Sequence, residues 1–286
     1  MNASKTAVLI DSGCDLNTEL REKYDIKVIA LKIFYGTKMY NDGVDIDPMY
    51  VYENFHREYP KTSTPNMQEY LDVIEEIRRE GYENIIGITI SSGLSGTYNT
   101  MRATFAEVED MKTFAFDTKN ISIGSGMYAV WAAKALSEGA SFDEVVQGLK
   151  DRQTASHLCF YMDTLEYLQK GGRITPSVAL VGKVLHLKPI ISCNEEGVYY
   201  TVGKIRGQAR GVKKLFDEVV KPDLDPNKYW FAIMNGDGQA LEDEAKRMLY
   251  ERIPAAKVLV DGQITATLAN NTGPGLLGIC AFQHTL

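Results

Sequence analysis

The chain has 286 residues, of which 44% are hydrophobic, so it can bury a substantial core as one large or two modest domains. Its 31 basic and 38 acidic residues give a net charge of −7, which argues against a broad electrostatic contact with nucleic acid or anionic membrane. No stretch is apolar enough to cross a membrane, and the first apolar run is too short for a signal peptide. We therefore expect a cytoplasmic protein without stable membrane insertion.

The first 160 residues alternate short apolar runs with helical patterns, which predicts an α/β domain with a mostly parallel sheet flanked by helices. The expected strands are Ala7–Ile10, Val28–Phe34, Asn84–Ile90 and Thr113–Phe116, with turns over Tyr40–Asp47. The expected helices are Leu16–Tyr24, Pro65–Glu80, Ser122–Ser137 and Phe142–Thr154. In the second of these helices, Thr64 is the expected N-cap, Pro65 the first residue and Gly81 the stop signal.

Residues 161–286 show a different order and predict a second, α+β domain. A short helix over Leu165–Gln169 precedes an antiparallel hairpin formed by Pro189–Cys193 and Val198–Ile205. The remaining expected elements are helices over Gln208–Val220 and Gln239–Tyr250 and strands over Tyr229–Met234, Lys257–Val260 and Leu277–Phe282. No internal repeat or low-complexity linker separates the two parts, so we expect them to pack closely.

Cysteines and histidines show no pattern of a metal or disulfide site. The four cysteines are scattered without a C-x-x-C pair, which is not typical of a disulfide framework or a structural zinc site. The four histidines lie far apart and have no metal-ligand spacing. We therefore expect neither a metal nor a cofactor.

Three loops follow predicted strands or precede predicted helices and are rich in hydroxyl side chains and glycine. They are Asp11–Asp15, Thr62–Asn66 and Ser91–Thr97. In an open α/β sheet, ligands bind at the carboxyl ends of the strands, where hydroxyls and helix N-termini supply hydrogen-bond donors. The pattern predicts a pocket for a carboxylate or phosphate, although the same hydroxyls are also typical of simple helix caps.

Two enzyme motifs are incomplete in this chain. Residues 93–97 resemble the nucleophile elbow G-x-S-x-G, but the last glycine is Thr97. The corresponding enzyme would be a hydrolase or acyltransferase that uses Ser92 or Ser95. No histidine is placed by the sequence as its base. Residues 124–129 match G-x-G-x-x-A, but Asp143 opens a helix instead of ending a strand, so close helix packing explains these glycines better than dinucleotide binding. The chain has no P-loop for ATP.

Basic side chains cluster near the predicted hairpin and after the short helix. Lys204, Arg206 and Arg210 lie where the hairpin meets the next helix, and Arg173 follows Lys170-Gly171-Gly172. A solvated helix face and a helix C-cap explain these residues without a ligand. The alternative is a docking surface for an acidic partner or an anionic ligand.

Seven short motifs, taken in order, resemble the DegV family of bacterial fatty-acid-binding proteins, which includes the acyl-carrying subunit of fatty acid kinase. The motifs are Asp11–Leu16 (DSGCDL), Thr62–Pro65 (TSTP), Ser91–Tyr98 (SSGLSGTY), Leu165–Ile174 (LEYLQKGGRI), Lys188–Ile191 (KPII), Lys204–Gly207 (KIRG) and Thr272–Gly275 (TGPG). The resemblance runs from about residue 5 to residue 282. It implies two α/β domains with one long-chain fatty acid held between them.

The resemblance also implies roles for individual residues. The carboxylate of the acid would be bound by Thr62 and Ser63 of the TSTP motif and by Ser91 and Ser92 of the SSGLSGTY motif. The family's third ligand is a histidine directly before T-G-P-G, and this position is Asn271 here, which can donate a hydrogen bond but cannot become a cation.

The basic residues and the partner follow from the same resemblance. Lys204, Arg206 and Arg173 would face the kinase partner or the acyl phosphate. The implied protein is a carrier, not an enzyme, which presents the carboxylate to a separate ATP-using kinase. A serine-dependent hydrolase or acyltransferase and a binding module for a small phosphorylated metabolite remain the alternatives. The implied division is residues 1–160 with the hydroxyl-rich loops and residues 161–286 closing over the ligand.

Overall fold

The computed structural model describes residues 2–174 and 187–285 of the chain. The strands in these stretches are β1 (Thr6–Asp11), β2 (Ile26–Ile29), β3 (Lys32–Tyr35), β4 (Lys38–Asn41), β5 (Lys61–Ser63), β6 (Asn84–Thr89), β7 (Lys112–Asp117), β8 (Ser156–Tyr161), β9 (Leu187–Cys193), β10 (Tyr199–Arg206), β11 (Tyr229–Gly236), β12 (Lys257–Gln263) and β13 (Leu276–Gln283). The helices are α1 (Thr18–Tyr24), α2 (Pro48–Asn54), α3 (Met67–Arg79), α4 (Thr97–Ala106), α5 (Ile123–Ser137), α6 (Phe142–Asp151), α7 (Glu166–Lys170), α8 (Gln208–Val219), α9 (Gln239–Arg252) and α10 (Ala266–Thr272). None of the helices in the described stretches is long and apolar enough to span a membrane.

The N-terminal part is built on a parallel sheet of four strands in the order β2-β1-β6-β7. The central strand β6 pairs with β1 on one side and with β7 on the other. Its residues from Ile85 to Thr89 are buried because helices cover both faces of the sheet. The predicted α/β class and the predicted buried strand are both confirmed.

The C-terminal part is a mixed sheet of six strands in the order β10-β9-β8-β13-β11-β12. Four of the five pairings are antiparallel, and β11 pairs with β12 in parallel. The predicted hairpin is confirmed as β9 and β10. Strand β8 was not among the predicted elements, and the expected domain boundary after residue 160 falls inside it.

A third, antiparallel sheet in the order β4-β3-β5 is the largest departure from the predicted elements. The single strand predicted over Val28–Phe34 is wrong, because the chain leaves β2 and enters β3 of a different sheet. The break occurs at Leu31, whose N–H donates to the Ser12 hydroxyl at 3.0 Å and whose carbonyl accepts from the Asp42 N–H at 2.9 Å. The expected turn region Tyr40–Asp47 begins inside a strand, because Tyr40 and Asn41 belong to β4.

Helix α3 begins two residues later than the sequence predicts. The N-cap is Asn66, not Thr64, because Asn66 and Glu69 form a reciprocal capping box. The expected stop is confirmed, since Gly81 has a φ of +92°, a conformation that favours glycine.

Helix α5 joins the two large sheets into one core. Eleven of its fifteen residues are buried, and it packs against β1 and β6 on one side and against β8 and β13 on the other. The glycines at 124 and 126 lie inside this helix, where a Cβ on Gly126 would meet the Cys14 carbonyl oxygen at 2.3 Å. Close packing of α5 therefore explains the G-x-G-x-x-A match.

Candidate functional site

A polar cavity lies beyond the carboxyl end of β6, between the parallel sheet and the C-terminal part. Its lining residues are Leu31, Thr62, Ser63, Thr64, Ile90, Leu94, Ser95, Gly96, Ile121, Arg173, Tyr199, Thr267, Leu268 and Asn271. They come from the ends of β5 and β6, from the loops before α4 and α5, from β10 and from α10. This is the position in which open α/β sheets bind ligands.

Arg173 is the single charged side chain among the described residues that line this cavity. Its guanidinium Nη2 donates to the Thr62 hydroxyl at 3.4 Å, which places a cation beside a neutral hydroxyl. The remaining polar groups of the lining are hydroxyls and one amide. A net positive cavity with neutral hydrogen-bonding groups suits a single carboxylate or a phosphate.

Helix α10, which the sequence analysis missed, supplies two polar side chains to the same cavity. The Asn271 amide Nδ2 donates to the Thr267 carbonyl at 2.9 Å. The Asn271 Oδ1 and the Thr267 hydroxyl are buried, and neither has a hydrogen-bond partner in the described residues. A buried polar atom without a partner costs free energy, so a ligand group that pairs with either atom gains affinity.

A small apolar cavity adjoins the polar one. Its lining residues are Ile121, Ser122, Leu158, Phe160, Tyr199, Met234, Ile264, Leu268, Thr272, Leu276 and Gly278. Ile121, Tyr199 and Leu268 line both cavities, so the two adjoin along these side chains. The arrangement offers a polar end to a head group and an apolar end to a hydrocarbon tail.

Two of the serines expected at the head group lie elsewhere. Ser91 is fully buried, and its hydroxyl donates to the Gly197 carbonyl at 2.7 Å and accepts from the Gly93 N–H at 3.0 Å. The Ser92 hydroxyl accepts from the Lys119 ammonium at 3.0 Å. Ser95 of the same loop lines the polar cavity instead.

The Ser91 contact fastens the turn between β9 and β10 to the loop that follows β6. A Cβ on Gly93 would lie 2.8 Å from the Gly197 carbonyl oxygen, so the two backbones approach as closely as glycine allows. Tyr199, two residues after this turn, lines both cavities. The S-S-G portion of the motif therefore positions the hairpin in the structure, and Ser95 and Gly96 are its cavity-facing members.

The other expected basic residues lie outside the cavity. Lys204 and Arg206 are exposed on β10 and alternate with Ile205, which packs against the core under α8. In the described part of the chain they are not among the residues that line either cavity. The basic set therefore divides into Arg173 inside the site and an exposed pair on the edge strand β10.

Three buried carboxylates form a layer between the parallel sheet and α10. Asp15 accepts from the Thr265 N–H at 2.9 Å, and Asp42 accepts from the Thr267 N–H at 3.1 Å. Asp11 accepts from the Gly13 and Ile90 N–H groups. Burial raises the pKa of Asp11 and of Asp15 to about 7 and also raises the pKa of Asp42. This layer fixes the beginning of α10 and hence the side chains that α10 directs into the polar cavity.

Within residues 2–174 and 187–285, the geometry does not bring a histidine base to a serine nucleophile. Lys119 contacts Ser92, and its ammonium also forms an ion pair with the Asp117 carboxylate at 2.8 Å. Among the described histidines, His157 contacts Cys159 and His284 stacks on Trp230. None of the histidines in residues 2–174 and 187–285 forms a hydrogen bond with Ser92 or Ser95, and His186 lies outside these residues.

Comparison with known proteins agrees with this arrangement. The family model described as an uncharacterised protein of the DegV family matches residues 5–284. The chain belongs to the DegV family. A DegV domain-containing protein from Clostridium acetobutylicum is 39% identical over 279 residues, which cover 98% of this chain and 99% of the relative.

Solved DegV structures have the same fold. The structure of DegV, a fatty acid binding protein from Bacillus subtilis, is similar with a TM-score of 0.85 and 27% identity, over 99% of each chain. A DegV family protein from Thermus thermophilus, described for its fatty acid binding, is similar with a TM-score of 0.86 and 25% identity, over 99% of this chain and 100% of that one. The expected fold class, a mostly parallel N-terminal sheet flanked by helices followed by an α+β part, is confirmed.

Proposed function

We propose that this DegV protein binds one long-chain fatty acid, with the carboxylate in the polar cavity and the acyl chain in the apolar cavity. The observation that carries the proposal is that the two cavities adjoin along Ile121, Tyr199 and Leu268 while differing in polarity. The similar proteins from Bacillus subtilis and Thermus thermophilus are both described as fatty acid binding. A small phosphorylated metabolite would suit the polar cavity but would leave the apolar one unexplained.

The carboxylate contacts follow from the lining. Arg173 pairs with the carboxylate, and the hydroxyls of Thr62, Ser63 and Ser95 donate to it. Asn271 occupies the position of the family's histidine and contributes an amide that stays neutral at every pH. Ser91 acts by holding the hairpin over the site, and Ser92 by its contact with Lys119.

The acyl chain supplies most of the affinity. Burial of about 14 methylenes at roughly 0.8 kcal/mol each gives a gross gain on the order of 11 kcal/mol. Association and ordering of the chain remove part of this gain. The carboxylate contacts then determine the direction in which the acid enters and which end remains accessible.

The carrier presents its carboxylate to a separate fatty acid kinase in the cytoplasm and does not itself catalyse a reaction. Lys204 and Arg206, exposed on β10, form the surface for that kinase or for the acyl phosphate product. The carrier requires neither a metal nor a cofactor. None of the described histidines forms a hydrogen bond with Ser92 or Ser95, which argues against the hydrolase alternative.

The test is to purify the protein, extract it with organic solvent after denaturation, and identify the lipid by mass spectrometry. We expect about one long-chain fatty acid per chain. If the protein contains no fatty acid and takes up none when palmitate is offered, the proposal is wrong. A thermal-shift comparison of palmitate with sugar phosphates distinguishes a lipid carrier from a phosphometabolite-binding module.

A further inference from the structure

Gly278 lies in the interior of β13, where glycine is unfavourable for strand stability. Its φ is outside the left-handed region that requires glycine. A glycine in a strand loses more conformational freedom on folding than other residues and contributes no packing. Its presence at a fully buried position in a central strand therefore needs another physical reason.

Protein packing does not provide that reason. A Cβ built on Gly278 lies 3.8 Å from the Met234 carbonyl oxygen, 3.8 Å from the Phe160 Cβ and 3.9 Å from the Leu158 Cδ1, all ordinary contact distances. By contrast, a Cβ on Gly124 of α5 would meet the Asn120 Oδ1 at 2.6 Å. A Cβ at residue 278 therefore fits at ordinary contact distances, and it lies at the wall of the apolar cavity, which Gly278 lines.

The strand register places this space between two large side chains. Gly278 pairs with Phe160 of β8 on one side and with Met234 of β11 on the other. Paired residues in a sheet share a face, and all three line the apolar cavity. The missing side chain therefore leaves a groove between Phe160 and Met234, in which the β13 backbone forms part of the cavity wall.

We infer that Gly278 sets the length of acyl chain that the protein accepts, because its groove holds part of the hydrocarbon tail. This inference rests on the proposed fatty acid binding and assigns its selectivity to one position. A side chain at residue 278 fills the groove and removes space from the apolar cavity without straining the backbone. It does not touch the polar cavity, whose lining does not include Gly278.

The experiment compares the wild-type protein with Gly278→Val in a competition between stearate and myristate, with bound lipid measured by mass spectrometry. A valine side chain displaces about two methylenes, so we expect the ratio of bound stearate to bound myristate to fall about tenfold, or about 1.4 kcal/mol. Gly203→Val is the matched control, since a Cβ there meets no atom within 4 Å and Gly203 does not line the apolar cavity. We expect its ratio to equal that of the wild type.

The outcomes separate this inference from the proposed function. A wild-type protein that binds neither acid refutes the fatty acid proposal itself. A folded Gly278→Val protein that binds both acids with the wild-type ratio overturns the role of Gly278 alone. If the valine variant does not fold, Gly278→Ala decides, because one methyl fits at ordinary contact distances. We expect a ratio lowered about threefold, and an unchanged ratio overturns the inference.

Discussion

The polar and apolar cavities are adjacent but are built in different ways. Five of the eleven residues that line the apolar cavity come from the neighbouring strands β8, β13 and β11, on one face of one sheet. The polar lining is collected from several strand ends and loops and from α10. The difference indicates two roles in the proposed binding. The regular apolar surface supplies affinity in proportion to the length of the acyl chain, and the irregular polar surface sets the orientation of the acid.

The strongest test of this division changes the ligand and not the protein. Octanoate retains the carboxylate but lacks about eight of the methylenes of palmitate, so its Kd is expected to be at least about a thousandfold higher. Isothermal titration of the delipidated protein measures both constants. Equal affinities would show that the polar cavity dominates binding.

The next largest effect is expected from Arg173, the cation of the polar cavity. Arg173→Gln removes a charge-assisted contact worth about 1.5–3 kcal/mol, so the Kd for palmitate rises about tenfold to a hundredfold. The matched control is Arg206→Gln on the exposed β10 surface, for which we expect an unchanged Kd. A loss of affinity in the control and not in Arg173→Gln would contradict the assignment.

A further prediction concerns the carboxylate layer under the polar cavity. Burial raises the pKa of Asp11 and Asp15 from 3.8 to about 7, so the folded state binds protons more tightly than the unfolded state. Their contribution to stability is fully present below about pH 4 and is lost as the pH rises through about 7. We expect Asp15→Asn to reduce the fall in Tm between about pH 5 and about pH 8.

The control for this pH dependence is Asp143→Asn, which removes an exposed carboxylate paired with Lys112. Thermal unfolding followed by circular dichroism measures all three proteins. A pH dependence identical in Asp15→Asn and in the wild type would show that Asp15 does not titrate in this range.

The smallest effect is expected at Thr267 on helix α10, whose residues line both the polar and the apolar cavity. Thr267→Val removes a buried hydroxyl that has no partner in the described residues, so the free energy of unfolding of the lipid-free protein rises or stays the same. Palmitate affinity falls about fivefold if this hydroxyl pairs with the carboxylate, a loss of about 1 kcal/mol. Urea unfolding and titration measure the two quantities, and parallel losses in both would indicate a purely structural hydroxyl.

Periodic segments were the ones that the sequence predicted well. The run of β6 is almost continuously apolar, and the hairpin of β9 and β10 and the helices α3 and α8 repeat apolar residues with one period. Each was found within a few residues of its expected bounds. Strands β2 and β3 carry one continuous apolar pattern, so nothing local shows that they belong to different sheets. Their separation depends on the bonds from Leu31 to Ser12 and Asp42, which are distant in sequence.

The candidate site was only partly predictable for the same reason. Thr62, Ser63, Asn271 and Arg173 line the polar cavity, but Ser91 turns inward because the hairpin carbonyl of Gly197 lies beside it. Helix α10 was missed because it is seven residues long and apolar, polar and small residues mix along it. Its position is fixed by hydrogen bonds to Asp15 and Asp42. These contacts join residues that are distant in sequence and exist only once the chain is folded.

Helix α5 has a consequence for how the protein unfolds. Because its buried residues complete one core shared by the parallel sheet and the mixed sheet, the face of each sheet that packs against α5 loses its packing when the helix leaves. Amides of β1 and of β13 should accordingly exchange with solvent deuterium at the same, slowest rate, as members of one cooperative unit. A fragment ending before Ile123 would expose the apolar face that α5 covers.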